Sequence, residues 1–334
     1  MTPLLEGGTD GPYYDDLKIG DRFDTAPRVE LTSGLAAVHH SIVGGRLALA
    51  LDSRLAREVT GGPFANPALV WDVAIGQSTL VTQRAIANLF YRGLAFLRSP
   101  SIGDTLSTVT TIVGLRPVSP KPGRPPRGLA VMRIVTSDHE GRTVLDFHRC
   151  AMLPAKSEAG GGPQGEIEPP VPTMPSEALA RAISHWDLST LARVSPGPAF
   201  GDLLTGTTYG VAGGDLVSSA PELARLTLNL AAVHHDRTLV ADGRRLVYGG
   251  HTIGLALAKV TRALPSLATV LAWHGCDHTG PVHENDTLHA SVEIEKLEPL
   301  RQGGLAHLRV RVRASDEAGA ASDVLDWRLI GLFP

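Results

Sequence analysis

The chain is poor in sulfur and in rings. Its 334 residues include two cysteines, Cys150 and Cys276, four methionines and only 5 % aromatic side chains. Two cysteines supply neither a disulfide framework nor a zinc spacing, and they fit a reducing cytoplasm. Charge is sparse at 19 % and nearly balanced at −3, with no sustained basic patch. A nucleic-acid surface is therefore not expected. No stretch reaches the roughly 20 apolar residues of a membrane span. Met1 to Tyr14 lacks the apolar core of a signal peptide. Paired CxxC and HExxH spacings, a G-x-S-x-G elbow, a P-loop and a dinucleotide fingerprint are all missing. No metal and no cofactor is expected from such a chain. What remains is 43 % hydrophobic, which is globular composition, and long enough for two ordinary cores.

Internal repetition organises that length. Leu35-Ala-Ala-Val-His-His40 recurs letter for letter as Leu230 to His235, an offset of 195. Asp104-Thr-Leu106 recurs as Asp286-Thr-Leu288, and Leu115-Arg-Pro117 as Leu297-Glu-Pro299, both at 182. Tyr91-Arg-Gly93 falls on Trp273-His-Gly275, also at 182, and Val144-Leu-Asp-Phe147 on Val324-Leu-Asp-Trp327 at 180. A period this long means tandem domains and not a solenoid. The expected division is residues 1–153, a linker at 154–175 carrying Gly160-Gly-Gly162 and Pro169-Pro170, and residues 176–334.

Each half reads as helix first and strands after. Helices are expected within Gly61 to Ala87 and Gly250 to Arg262. Strands are expected at Thr105–Val113, Leu129–Thr136 and Thr143–Met152, with partners at Leu288–Leu297, Leu305–Ala314 and Val324–Leu332. Leu308, Val310, Val312 and Ala314 alternate with Arg309, Arg311 and Arg313, the pattern of a strand with one wet face. The class is α+β, a helix wrapped by an antiparallel meander, twice over.

One stretch concentrates chemistry. Between Asn229 and His251 lie an amide, the imidazole of His234 five residues on, and Gly249-Gly250 opening an apolar run. An imidazole can move a proton, and open N–H groups at a helix start can hold a carbonyl oxygen. Each residue also has a bland reading. His234 could cap a helix; His235, His251 and Asp277 could be structural; the glycines could form a plain turn. His278 lies in a loop that the repeat sets opposite Tyr91.

Ala87-Asn-Leu-Phe-Tyr-Arg-Gly93, Gly243-Arg-Arg-Leu-Val-Tyr-Gly-Gly-His251 and His278-Thr279 ahead of Gly280-Pro281 resemble the MaoC-like dehydratases, specifically the mesaconyl-CoA branch. That family has a hotdog fold, here in a tandem, double-hotdog form spanning nearly the whole chain. The resemblance implies a hydro-lyase that reversibly adds water to a 2,3-unsaturated acyl-CoA thioester such as 2-methylfumaryl-CoA, giving β-methylmalyl-CoA, without metal or redox cofactor. The acyl-CoA is then the small-molecule partner, and a monomer or a homodimer is compatible with two fused units. His234 matches the catalytic histidine and Gly250 the glycine whose N–H binds the thioester oxygen. Tyr248, Gly249, His278 and Arg92 fall in the matching motifs as substrate-binding residues. The general motif has an aspartate where Asn229 stands and an asparagine where Ala231 stands. An amide cannot take a proton, so Asn229 can hold water but cannot be the base. His39 aligns with His234 in the repeat but has Gly34 in place of Asn229, so that copy is expected to be inactive. A far carboxylate on the acyl group would need a cation, with Arg92, Arg244 and Arg245 as candidates. Hotdog proteins also include thioesterases, and a non-catalytic acyl-CoA-binding protein is a third reading.

Overall fold

The computed structural model describes residues 11–157, 163–169, 175–239 and 243–334. The first half runs through α1 (Ser33–Val43), α2 (Pro67–Gln77), β1 (Ala87–Phe96), β2 (Thr105–Pro117), β3 (Arg127–Ser137) and β4 (Thr143–Pro154). The second half runs through α3 (Ala220–Leu226), α4 (Gly249–Ala263), β5 (Thr269–His278), β6 (Thr287–Pro299), β7 (Gly304–Ser315) and β8 (Ala321–Phe333). These strands form one antiparallel sheet in the order β2-β3-β4-β1-β5-β8-β7-β6. The halves join where β1 meets β5, with Tyr91 opposite Cys276 and Ala95 opposite Ala272. This is the tandem α+β arrangement expected from the repeat, with a helix against each half of a shared sheet.

Composition explains the layers. Every residue of α2 is buried, and so are all residues of α4 from Gly250 to Thr261. A helix that is mainly apolar and buried on every face belongs in the middle of a molecule. The scarce aromatics gather there. Trp71 of α2 lies 4.8 Å from Trp273 on β5 and 6.0 Å from Trp327 on β8, edge-on to both. The opposite face of the sheet is wet along β7, as its arginine alternation requires: Arg309 pairs with Asp326 and Arg311 with Glu293. Gly76 marks a close approach between the halves, because a Cβ there would meet the Thr227 carbonyl oxygen at 1.7 Å.

Two expectations need correction. β1 is a strand in a stretch that periodicity leaves unassigned, and β5 is a strand whose second part, Trp273 to His278, falls in an expected loop. They are central and largely covered on both faces, so they lack the alternation of a half-exposed strand. Second, the Leu-Ala-Ala-Val-His-His identity is not a structural equivalence. The Leu31 N–H donates to the Asp104 carbonyl, and the Val217 N–H to the Asp286 carbonyl, so Leu31 corresponds to Val217. Carried forward, that register sets His39 opposite Arg225 and not opposite His234. Leu35 to His40 lie inside α1, whereas Leu230 to His235 form a loop and a short 3₁₀ turn, Ala232–His234.

The expected linker falls partly outside the described residues, at 158–162 and 170–174. Between them Gln164–Gly165 adds to the edge of β2, with Gly165 opposite Gly114.

Candidate active site

The Asn229 loop is built by its own side chains and by the other half. Helix α3 ends, and Leu228 turns through φ +60°, a left-handed conformation that costs a branched residue roughly 1–2 kcal/mol. Contacts on both sides over-determine it. The Asn229 Oδ1 accepts the Ala231 N–H at 2.9 Å. Leu230 N–H donates to Thr79 Oγ1, and Ala232 N–H to the Gln83 carbonyl. The second-half loop is thus pinned to first-half residues, and the 3₁₀ turn that follows delivers His234.

His234 Nδ1 lies 3.0 Å from the Leu246 carbonyl oxygen. A carbonyl only accepts, so Nδ1 carries the proton and Nε2 presents a lone pair. Burial lowers the imidazole to a pKa of about 4, with the Leu246 hydrogen bond opposing the shift and the nearby His235 and Arg149 adding to it. The ring is a neutral base at ordinary pH. It packs against Tyr248, 6.0 Å between ring centres.

Tyr248 precedes α4. Its hydroxyl donates to Asp72 Oδ1 at 3.2 Å, and Asp72 Oδ2 lies 2.8 Å from His39 Nε2. Both members of that hydrogen bond are essentially unexposed. Burial raises the Asp72 carboxyl, against the hydrogen bonds that hold it down. The glycine pair follows. A Cβ on Gly250 would sit 2.1 Å from Asp72 Oδ1, and one on Gly249 would sit 2.7 Å from His278 Nε2. Their N–H groups stand in the first turn of α4, where the helix supplies no acceptor.

These residues meet around a cavity of about 240 Å³. Asn229, His234, Tyr248, Gly249 and His278 line it. Gly250 is not in the wall; it lies one residue behind, against Asp72. His278 ends β5, edge-on to Tyr91 at 5.9 Å, with its Nε2 buried and unpartnered. Burial lowers its pKa to about 4, and the Arg149 charge adds to the shift.

Arg92 is placed elsewhere: it pairs with Asp277 at 2.6 Å and lies over the Phe90 ring, outside the lining. Arg244 pairs with Asp286 and Arg245 with Glu284, so both are committed at the surface side. His235 Nε2–H donates to the Asn229 carbonyl, a structural bond, and His251 is buried behind the wall with both ring nitrogens unpartnered. His39, expected as a defunct catalytic copy, is a buried partner of Asp72 instead.

Sequence reading missed Arg149, Asn88 and the pocket face of Tyr91. A signal for Arg149 existed. On β4 it shares the inward register of Phe147, Ala151 and Leu153, where an arginine is out of place.

No family model matches the chain. It is 27 % identical over 315 residues to the mesaconyl-CoA hydratase of Cereibacter sphaeroides, covering 91 % of this chain and 89 % of that protein. Its fold matches a conserved hypothetical protein from Mycobacterium tuberculosis described as a double hotdog, with a TM-score of 0.88 and 52 % identity over 97 % of this chain and 99 % of that one. It also matches a MaoC domain protein dehydratase from Chloroflexus aurantiacus, with a TM-score of 0.80 and 25 % identity over 98 % and 99 % of the two chains. No helix among the described residues is long and apolar enough to cross a membrane. With its two helix-backed halves on one sheet, the chain belongs to the double hotdog proteins and is similar over nearly its whole length to a MaoC domain dehydratase.

Proposed function

We propose that the chain is a hydro-lyase adding water reversibly to a 2,3-unsaturated acyl-CoA, of the 2-methylfumaryl-CoA type on which its relative is named to act. One observation carries the reading: a neutral His234, with its Nε2 lone pair free, shares a cavity with the open N-terminus of α4. The thioester oxygen accepts the N–H of Gly249, the glycine of the pair that lines the cavity, where the helix dipole favours negative charge. The Asn229 amide, its oxygen committed to Ala231, offers its NH₂ end to a water. His234 Nε2 takes a proton from that water as the oxygen bonds to C3. The π electrons move to C2 and the thioester oxygen, giving an enolate held at the helix end. The imidazolium, a strong acid in this buried setting, returns the proton to C2. Water is then the only co-reactant, and neither a metal nor a redox cofactor takes part. We place this chemistry in the cytoplasm, in a monomer or a homodimer.

A thioesterase reading is less favoured because no carboxylate is among the cavity's lining residues. Incubation with 2-methylfumaryl-CoA, crotonyl-CoA and acetyl-CoA tests the proposal. Loss of enoyl absorbance without thiol release is expected. Thiol release would transfer the chain to the thioesterases, and binding without either change would leave an acyl-CoA carrier.

A further inference from the structure

The water-addition chemistry leaves unused the one Lys, Arg, Asp or Glu among the described residues lining the cavity. Arg149 lines it while being only 4 % exposed. Its Nε donates to Asn88 Oδ1 at 2.7 Å, Nη1 to Ser78 Oγ at 2.8 Å, and Nη2 to Thr82 Oγ1 at 3.1 Å. All three acceptors are neutral. Asp72, the carboxylate behind Tyr248, is committed to His39 and Tyr248. A guanidinium does not shed its proton, so a full charge is buried without an anion among the described residues. Each terminal nitrogen keeps one more N–H, and parallel donors of this kind fit the two oxygens of a carboxylate. Asn88 Nδ2 is also buried with no partner.

The other half of the molecule shows that the fold does not require this cradle. Arg149 sits opposite Tyr91 on β1, and Leu329 sits opposite Trp273 on β5. At the same repeat positions, Asn88 becomes Val270, Ser78 becomes Val260 and Thr82 becomes Leu264. All four replacements are apolar and buried.

We propose that Arg149 receives a carboxylate carried by the acyl group, so the substrate is the CoA thioester of an unsaturated dicarboxylic acid. The proposal rests on the hydro-lyase reading of the same cavity. The phosphates of CoA lie a whole pantetheine arm from the thioester, so an anion beside the catalytic imidazole must belong to the acyl chain. A carboxylate on C3 opposes attack by an oxygen nucleophile there, and a fixed guanidinium offsets that repulsion. Arg149 is thus a specificity residue touching the substrate, and the hydroxyl product is flanked by the carboxylate it holds.

The test compares 2-methylfumaryl-CoA with crotonyl-CoA in the parent, Arg149→Gln and Arg149→Lys, each checked for folding by thermal melting. The parent should favour the carboxylated substrate by about 10²-fold or more in kcat/KM, because a site built for a charged group leaves it unpaired with the wrong ligand. Arg149→Gln should abolish that preference by losing far more kcat/KM on 2-methylfumaryl-CoA than on crotonyl-CoA. Arg149→Lys keeps the charge and loses the fork, so it should fall between, and it carries the test should the glutamine variant fail to fold. Equilibrium binding of succinyl-CoA and butyryl-CoA separates this proposal from the reaction. A tighter, Arg149-dependent succinyl-CoA complex in a chain that hydrates neither enoyl thioester would uphold the carboxylate site and sink the hydro-lyase reading. Equal binding of the two saturated thioesters, or equal loss of both enoyl substrates in the variants, would overturn the carboxylate assignment.

Discussion

The two halves build the same pocket twice and keep one open. Around the open one stand Leu246, His278, Pro281, Val282, Ala87, Asn88 and Leu89; around its counterpart stand Phe64, Phe96, Ser99, Pro100, Thr269, Val270 and Leu271, each 182 residues away. The first cavity measures about 240 Å³ and the second about 10 Å³. The difference is filling. In the second, Ala182, Ile183 and Trp186 enter from the segment after the linker, and Trp186 meets Phe64 edge-on at 5.7 Å. Polar groups follow the opening. His278 and Asn88 on one side are Phe96 and Val270 on the other. A duplicated fold can therefore spend one copy on packing while the other holds buried polar groups that an apolar core would not tolerate.

The largest way to break the comparison is to disarm the open pocket. His234→Ala should lower kcat by about 10²–10⁴-fold with KM changed little, as expected for a single general acid–base group. Steady-state kinetics on the enoyl-CoA of choice decide it, and a fully active variant would move the chemistry elsewhere. The converse is to unplug the filled pocket. Trp186→Ala should cost about 3–5 kcal/mol in urea unfolding, the usual range for removing a buried tryptophan. It should create no second active site, because the counterpart walls are Phe96 and Val270. A gain in sites per chain, measured by acyl-CoA titration, would contradict that.

Much of this was legible in the sequence, and the exceptions have physical causes. The six outer strands and both long helices announce themselves, since alternation survives on strands with one wet face and apolar runs mark a buried helix. β1 and β5 do not, because central strands are covered on both sides. The cluster of Asn229, His234, Tyr248, Gly249 and His278 could be named because its residues lie in short motifs. Arg149 could not be named from a motif; its oddity shows only when the inward face of β4 is known. His39 misled because six identical letters suggested equivalence, whereas only hydrogen-bond register reveals that Leu31 and Val217 correspond.

His39 itself supplies a sharper test of the halves. The expected defunct site is instead a support, since His39 holds Asp72, which holds Tyr248 in the wall of the working cavity. His39→Ala leaves a buried carboxyl without its partner, and a buried polar group left unsatisfied costs about 1–3 kcal/mol. Urea unfolding should show that loss, while turnover of the folded fraction stays within a few-fold. Unchanged stability would mean the pair is not formed, and a turnover loss as deep as that of His234→Ala would give His39 a part in the chemistry.

The smallest effect expected concerns pH, and it follows from the same asymmetry. His234 and His278, in the open pocket, and His251 behind it are each held by burial at a pKa of about 4, against about 6.5 in an unfolded chain. Their folded forms are neutral between those values while the unfolded chain takes up protons. Stability is therefore fully present above about pH 6.5 and is lost as pH falls towards 4. His148, His274 and His307 are lowered in the same sense. Asp72 acts oppositely, since a raised carboxyl binds its proton more readily in the folded state, but it is one group against several. Between pH 7.5 and pH 6 the three histidines held near 4 should together contribute a loss of roughly 2 kcal/mol by proton linkage. Catalysis should hold over the same interval, because His234 stays unprotonated until near pH 4. His251→Leu isolates the structural share. It removes a histidine whose two ring nitrogens have no partner and which lines neither the open nor the filled pocket, so it should leave kcat in place, raise the urea midpoint at pH 6 and shrink the difference between pH 7.5 and pH 6. A pH difference as large in this variant as in the parent would show that His251 is not buried neutral.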